Sequence, residues 1–252
     1  KVVSVICTVI IGLVAGGIAG AIPGILRAYL GTSEVIVTIM MNYIILYVAN
    51  NIIRFGFTAD MLRSSEASNK VVASASYQTE FLSQITGGSR FNIGFFLALA
   101  AAFLVWFLLK KTTTGFEITS VGLNPHASEY AGMSSKRVII MSMIISGALC
   151  GLGGTVEGLG TFQNVFVQNA SLAIGWNGMA VALLASNSPI GIPFAALLYG
   201  VLSIGKSGMI GVPSEIIDVV SALIIFFVGA NYIIRYWVRP RHKSVKAKGG
   251  QN

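Results

Sequence analysis

The sequence predicts an all-α, polytopic membrane protein, a bundle of helices that cross a bilayer. Three observations predict it. Only 10% of the 252 residues are charged and 54% are hydrophobic, against roughly 25% charged in soluble domains. The charges are excluded from long runs: Val2–Leu26, Val35–Ile53, Phe91–Leu109, Val138–Val156 and the whole of Gly158–Gly205 carry none. The basic residues behind the net charge of +8 gather instead in a few short polar stretches. Too little polar surface remains to coat a soluble particle, which argues against buried helices of a soluble core.

A bilayer core takes about 20 helical residues. The first four runs therefore predict one span each, at 2–26, 35–53, 91–109 and 138–158. The fifth accommodates two, 171–186 and 190–206, broken at Asn187-Ser-Pro-Ile-Gly-Ile-Pro193. A further span fits 216–238, with Arg235 snorkelling to the surface. The total is about seven spans, a transmembrane domain over 1–238 followed by a basic tail at 239–252. In the first run Gly12, Gly16, Gly20 and Gly24 recur every four residues. They bare one stripe of the helix for close approach by another. The Gly147–Gly160 group has a similar texture, an echo of the internal repeats that transporters carry. Cys7 and Cys150 lie inside apolar runs and read as small buried packing residues. They suggest neither a disulfide framework nor a metal site.

Two polar connectors stand out. Segment 54–90 has no apolar run long enough to span. Long loops in compact proteins are usually functional or disordered, so it is expected to be a solvated loop or a docking surface for an external partner. Segment 110–137, flanked by Lys110-Lys111 and Lys136-Arg137, is more patterned. Asn124 is a good N-cap and Pro125 suits the first helical turn. The helix would run through His126-Ala-Ser-Glu-Tyr-Ala131 and stop at Gly132. Two turns are too short to be stable alone, and these are too polar to cross a membrane. The helix is expected to lie on the membrane surface and pack into something, with Ala127, Tyr130 and Ala131 as a knob.

Cytoplasmic loops carry an excess of Lys and Arg. A cytoplasmic C-terminus, counted back through seven spans, places 110–137 and Arg27–Glu34 inside as well, so that eleven of the 17 basic residues fall there. Segment 54–90 is then extracellular. Lys1 is also outside, at the start of a span and not preceded by a signal peptide, so a missing N-terminal portion with further spans is expected.

Little in the spans suggests catalysis. Gly200-Val-Leu-Ser-Ile-Gly205-Lys206-Ser207 spells a phosphate-loop pattern, but it closes an uncharged membrane run, whereas a working phosphate loop joins a strand to a helix in a soluble domain. No nucleophile–base pair falls within the spans, which counts against an intramembrane hydrolase. His126 and His242 lie in polar segments. Glu157 is the one carboxylate in a largely apolar setting, a functional candidate or a solvated group at the outer interface. The amides Asn42, Asn50, Asn51, Asn177 and Asn231 can line a path for a neutral polar substrate, or act as glue between helices. The scarcity of acids and histidines argues against a proton-coupled pump. It leaves a Na⁺-coupled carrier, or a membrane assembly subunit without transport of its own.

The stretch Thr114-Gly-Phe-Glu-Ile-Thr-Ser-Val-Gly-Leu-Asn-Pro-His-Ala-Ser-Glu-Tyr-Ala-Gly-Met133 resembles the cytoplasmic coupling element of ABC importer permeases, in the branched-chain amino acid, ribose and nucleoside superfamily. Ser33-Glu-Val-Ile-Val-Thr-Ile-Met-Met-Asn-Tyr-Ile44 is similar to the nucleoside-type permeases in particular. Gly175-Trp-Asn-Gly-Met-Ala-Val-Ala-Leu-Leu-Ala-Ser-Asn-Ser-Pro-Ile-Gly191 resembles a segment shared more widely. The resemblance implies an inverted-repeat permease fold of about ten spans, so that the first spans are missing from the count here. It implies a multi-pass subunit of a bacterial plasma membrane that imports nucleosides, or alternatively ribose-like sugars or branched-chain amino acids. It implies no bound cofactor on this chain, with ATP and Mg on a partner ATPase. The other implied partners are a second permease subunit, homologous or identical, and an external lipoprotein or periplasmic receptor, and no nucleic acid. Residues Gly122, Asn124, Pro125, Ala127, Tyr130, Ala131 and Gly132 would couple to the ATPase.

Overall fold

A computed structural model of the chain describes residues 2–64, 66–72, 74–79, 82, 84, 87–89, 91–170 and 174–208, with positions 216, 219, 222, 223 and 226 beyond them. The chain divides into two compact units, Lys1–Leu172 and Ala173–Asn252.

In the first unit the helices are α1 (Val2–Leu30), α2 (Glu34–Asn51), α3 (Gly94–Lys111), α4 (Thr113–Leu123), α5 (Pro125–Tyr130) and α6 (Ser135–Val156). α2 and α6 each finish in a π-helical stretch, Ile52–Gly56 and Glu157–Phe162. With those extensions, four helices among the described residues are long and apolar enough to cross a membrane: α1, α2, α3 and α6. They cover the first four predicted spans, each with its ends shifted by a few residues. α4 was not anticipated. Of the second unit, α7 (Ile174–Leu184) and α8 (Gly191–Gly208) are described. They lie where spans were expected at 171–186 and 190–206, but their apolar stretches Ile174–Leu184 and Gly191–Gly205 are shorter than a span requires. Asn187 takes φ +56 in the break between them. The predicted span 216–238 lies mostly outside the described residues, as do Asn231 and the basic tail. The described positions between 216 and 226 are helical.

The centre of the first unit is the α1–α6 pair, and in its middle backbone meets backbone, while Thr155, Ile144 and Met143 side chains pack on Gly12, Gly17 and Gly24. A Cβ added to Gly16 would fall 2.8 Å from the Gly151 Cα and strike the Gly147 carbonyl oxygen. On Gly20 it would lie 3.0 Å from the Gly147 Cα. Reciprocally, one on Gly147 would lie 2.8 Å from the Gly20 Cα. The predicted glycine stripe thus packs on one face of α6, with Gly147 and Gly151 opposite its middle and Met143 and Ile140 opposite Gly24. Such contact gives dispersion attraction between backbones at close range, the usual basis of helix association in lipid. Cys7 and Cys150 correct the sequence reading: both are exposed. They sit on α1 and α6 but off the glycine faces, so they point away from the packed seam.

Among the described residues the buried apolar side chains are only Ile53, Tyr77, Val121, Val138, Val181 and Ala195. Large apolar groups point outward along the helices, Ile11 and Phe103 among them. That distribution suits helices solvated by lipid rather than water.

Beyond one end of α1 and α6, described residues between 61 and 78 pair with the chain at 159–167. β1 (Leu62–Ser64) pairs antiparallel with β2 (Ala67–Ser68). The return chain after α6 joins this edge: Ser68 N–H donates to the Val165 carbonyl at 2.8 Å, and Val167 N–H to the Glu66 carbonyl at 2.8 Å. Tyr77 is fully buried there. Its backbone N–H donates to the Leu159 carbonyl, its carbonyl accepts from Ile93, and its hydroxyl lies 3.0 Å from the Thr8 hydroxyl on α1. The 54–90 connector is therefore folded where it meets α6, not a purely solvated loop.

Candidate functional site

At the opposite end of α6 lies the polar connector between two membrane-length helices. Thr112 starts α4: its hydroxyl accepts from Gly115 N–H at 3.1 Å and donates to the Leu108 carbonyl at 2.6 Å. Gly115 packs so tightly on the end of α3 that a Cβ would strike the Leu108 carbonyl. Thr112 itself is extended, which breaks the helix between α3 and α4. Asn124 then caps α5 as expected, with Oδ1 accepting from Ala127 N–H at 3.1 Å and Pro125 in the first turn. The helix ends at Tyr130, one residue before the predicted end. Gly132 N–H donates to the Glu129 carbonyl at 2.9 Å and Met133 N–H to the Ser128 carbonyl at 3.0 Å. Gly132 takes φ +84, the left-handed cap that this bonding pattern needs and a side chain disfavours.

One side of α5 is anchored. Ser128 is buried, and Ser135 at the start of α6 donates to the Pro125 carbonyl at 3.3 Å. The other side is bare. Tyr130 is 96% exposed and Leu123 83%, with Pro125, Ala127 and Ala131 exposed around them. Two large apolar groups, Leu123 at the end of α4 and Tyr130 at the end of α5, thus face outward. Gly122 has open space around it.

Asn50 Nδ2 donates to the Gln168 carbonyl at 2.7 Å, and Gln168 N–H donates to Asn50 Oδ1 at 3.0 Å. The amide is thus a brace between α2 and the chain after α6, the glue role. It borders an open cavity of about 290 Å³ with Tyr47, Asn51, Arg54, Phe55 and Gln168. Glu157 opens the π-helical end of α6 and accepts from the Thr161 hydroxyl at 3.2 Å, beside the folded region around Tyr77. Asn42 is exposed on α2 and Asn177 on α7, in the second unit.

The family profile described as the permease component of the branched-chain amino acid transport system matches residues 2–229. The chain belongs to this permease family. Among curated relatives, the permease is 50% identical over 95% of its length to nucleoside ABC transporter permease protein NupB of Lactococcus lactis, and covers 66% of that protein. It is 48% identical over 84% of its length to guanosine ABC transporter permease protein NupP of Bacillus subtilis, covering 61% of it. It is 33% identical over 58% of its length to glucose ABC transporter permease protein TsgB13 of Haloferax volcanii, covering 40% of it. The chain thus spans about two thirds or less of these relatives. No solved structure matches the permease. Family and apolar helices together make it a multi-pass membrane protein.

Sequence reasoning missed three features around α5: the exposed Leu123, and the anchors Ser128 and Ser135. A large apolar residue directly before an Asn-Pro cap, in an otherwise polar stretch, was the available signal for Leu123.

Proposed function

We propose that the chain is a permease subunit of an ATP-driven importer for nucleosides, with its C-terminus and residues 110–137 on the cytoplasmic side. The observation that carries this reading is the exposed, doubly capped α5 with Tyr130 at its end and Leu123, the last residue of α4, turned outward beside it. A helix of two turns is not stable alone, yet this one is anchored by Ser128 and Ser135 and presents its apolar groups to water. An ATPase subunit with a complementary cleft is the partner such a knob suits. ATP and Mg would be bound there, and this chain would supply no hydrolytic group. Gly122, Asn124, Pro125, Ala127, Tyr130, Ala131 and Gly132 would form the contact. A second permease subunit would complete the path, and a binding protein would deliver substrate at the 54–90 side. The names of the bacterial relatives favour nucleosides; the haloarchaeal relative keeps a sugar as the second reading.

The test uses the permease assembled with its ATPase, second permease and receptor in proteoliposomes. Tyr130→Ala combined with Gly132→Ala should leave membrane insertion intact. Loss of one aromatic anchor at an interface lowers affinity about tenfold, so substrate-stimulated ATP hydrolysis and uptake should fall by at least that order. Normal stimulated hydrolysis would remove the coupling role. Labelled guanosine should enter only with ATP and be displaced by other nucleosides. Displacement by ribose or leucine instead, or uptake driven by a sodium gradient, would replace the nucleoside or the ATP-driven reading.

A further inference from the structure

At the α5 end of the membrane helices, a cavity of about 370 Å³ lies between α1 and α6. Its lining includes Tyr29, Lys136, Arg137, Ile140, Met141 and Ile144. The two kinds of side chain are sorted by depth. Lys136 and Arg137 stand in the first turn of α6, at the boundary where the uncharged run begins. Arg137, Ile140, Met141 and Ile144 follow one face of the helix at spacings of three and four residues. From Arg137 to Ile144 the rise is about 10 Å, a large part of the roughly 15 Å depth of one hydrocarbon leaflet.

The cations are available. Among the described residues the ion pairs are Arg27 with Glu34 at 3.1 Å and Arg54 with Glu66 at 4.0 Å. Lys136 and Arg137 have no carboxylate partner. Lys136 is held over the Tyr29 ring, 5.3 Å from its centroid, which fixes its ammonium at the mouth of the hollow. A charged mouth leading into an apolar groove at a membrane boundary matches one kind of molecule. We propose that it holds an anionic phospholipid, with the phosphate between Lys136 and Arg137 and one acyl chain along Ile140, Met141 and Ile144. A free anion would use the mouth and leave the groove without a function. A neutral lipid would use the groove and leave two cations uncompensated. The site needs only that α6 spans the membrane, and it stands whichever substrate the permease carries.

The test is lipid retention by the purified permease complex, read by native mass spectrometry after exchange into mixed micelles of phosphatidylglycerol and phosphatidylcholine. Each basic residue near a membrane surface favours anionic lipid, so retention of phosphatidylglycerol should exceed that of phosphatidylcholine by about tenfold or more. Lys136→Gln with Arg137→Gln should abolish the preference. Lys110→Gln with Lys111→Gln, which removes the same charge from the end of α3, should keep it. Met141→Trp fills the groove with both cations in place. It should also lower retention, and it decides the matter if the double variant does not fold. Equal retention of the two lipids would overturn the proposal, as would a Lys136/Arg137 variant that binds like the parent. Thermal stabilisation by inorganic phosphate equal to that by phosphatidylglycerol would overturn it in favour of a simple anion site.

Discussion

Gly122 and Gly132 are ten residues apart on the same connector and are glycine for different reasons. Gly132 sits at φ +84, where the cap of α5 requires a residue without Cβ. Gly122 is in α4 with normal helical geometry and empty space around a would-be Cβ. Within this chain, alanine there should be the better residue, by up to about 1 kcal/mol of helix propensity. Gly122→Ala is therefore expected to leave the thermal midpoint of the detergent-solubilised chain unchanged or slightly raised. If the surface serves a partner, the same variant should lower substrate-stimulated ATP hydrolysis in the assembled complex. A variant that gains stability and keeps full stimulation would show that Gly122 takes no part in docking.

The stripe on α1 behaves oppositely. Gly16 faces the Gly147 carbonyl and the Gly151 backbone, with no side chain that could swing aside. Overpacking typically destabilises by about 1–3 kcal/mol, and a rigid backbone neighbour places Gly16→Val at the upper end. A clear drop in thermal midpoint is expected; an unchanged midpoint would mean the helices do not meet along this seam. That seam was legible in the sequence on the α1 side, because a four-residue glycine period maps directly onto one helix face. So were the caps of α5, since Asn124, Pro125 and Gly132 act within a single turn. α4 was not legible. Its start depends on Thr112 bonding back to Leu108 and on Gly115 fitting against α3, and no apolar period marks it. The pairing of 62–78 with 159–168 was equally hidden. Hydrogen bonds such as Ser68 to Val165 join residues far apart in the chain, and no local pattern encodes them. The same distance concealed the brace between Asn50 and Gln168.

For the whole molecule, the first unit has two distinct ends. Tyr130 lies beyond the start of α6, and Ser64 packs in the region beyond its end. α6 has 22 residues before its π-helical extension, about 33 Å of rise, enough to separate the two sites by a bilayer. Single cysteines at Tyr130 and Ser64, in a chain with Cys7 and Cys150 replaced, should label from opposite faces of intact cells. A membrane-impermeant maleimide is expected to reach Ser64→Cys from outside and Tyr130→Cys only after permeabilisation; labelling of both from one face would refute the proposed topology. The glycine seam then acquires a mechanical meaning. Side chains between helices are compliant and absorb small displacements by changing rotamer, but two backbones in direct contact have nothing to yield. A tilt of α6 would pass to α1 most directly where Gly16 and Gly20 meet Gly147 and Gly151. The glycine contact is in this sense a stiff coupling in the middle of the pair, and α1 reaches from it to the Thr8–Tyr77 hydroxyl contact.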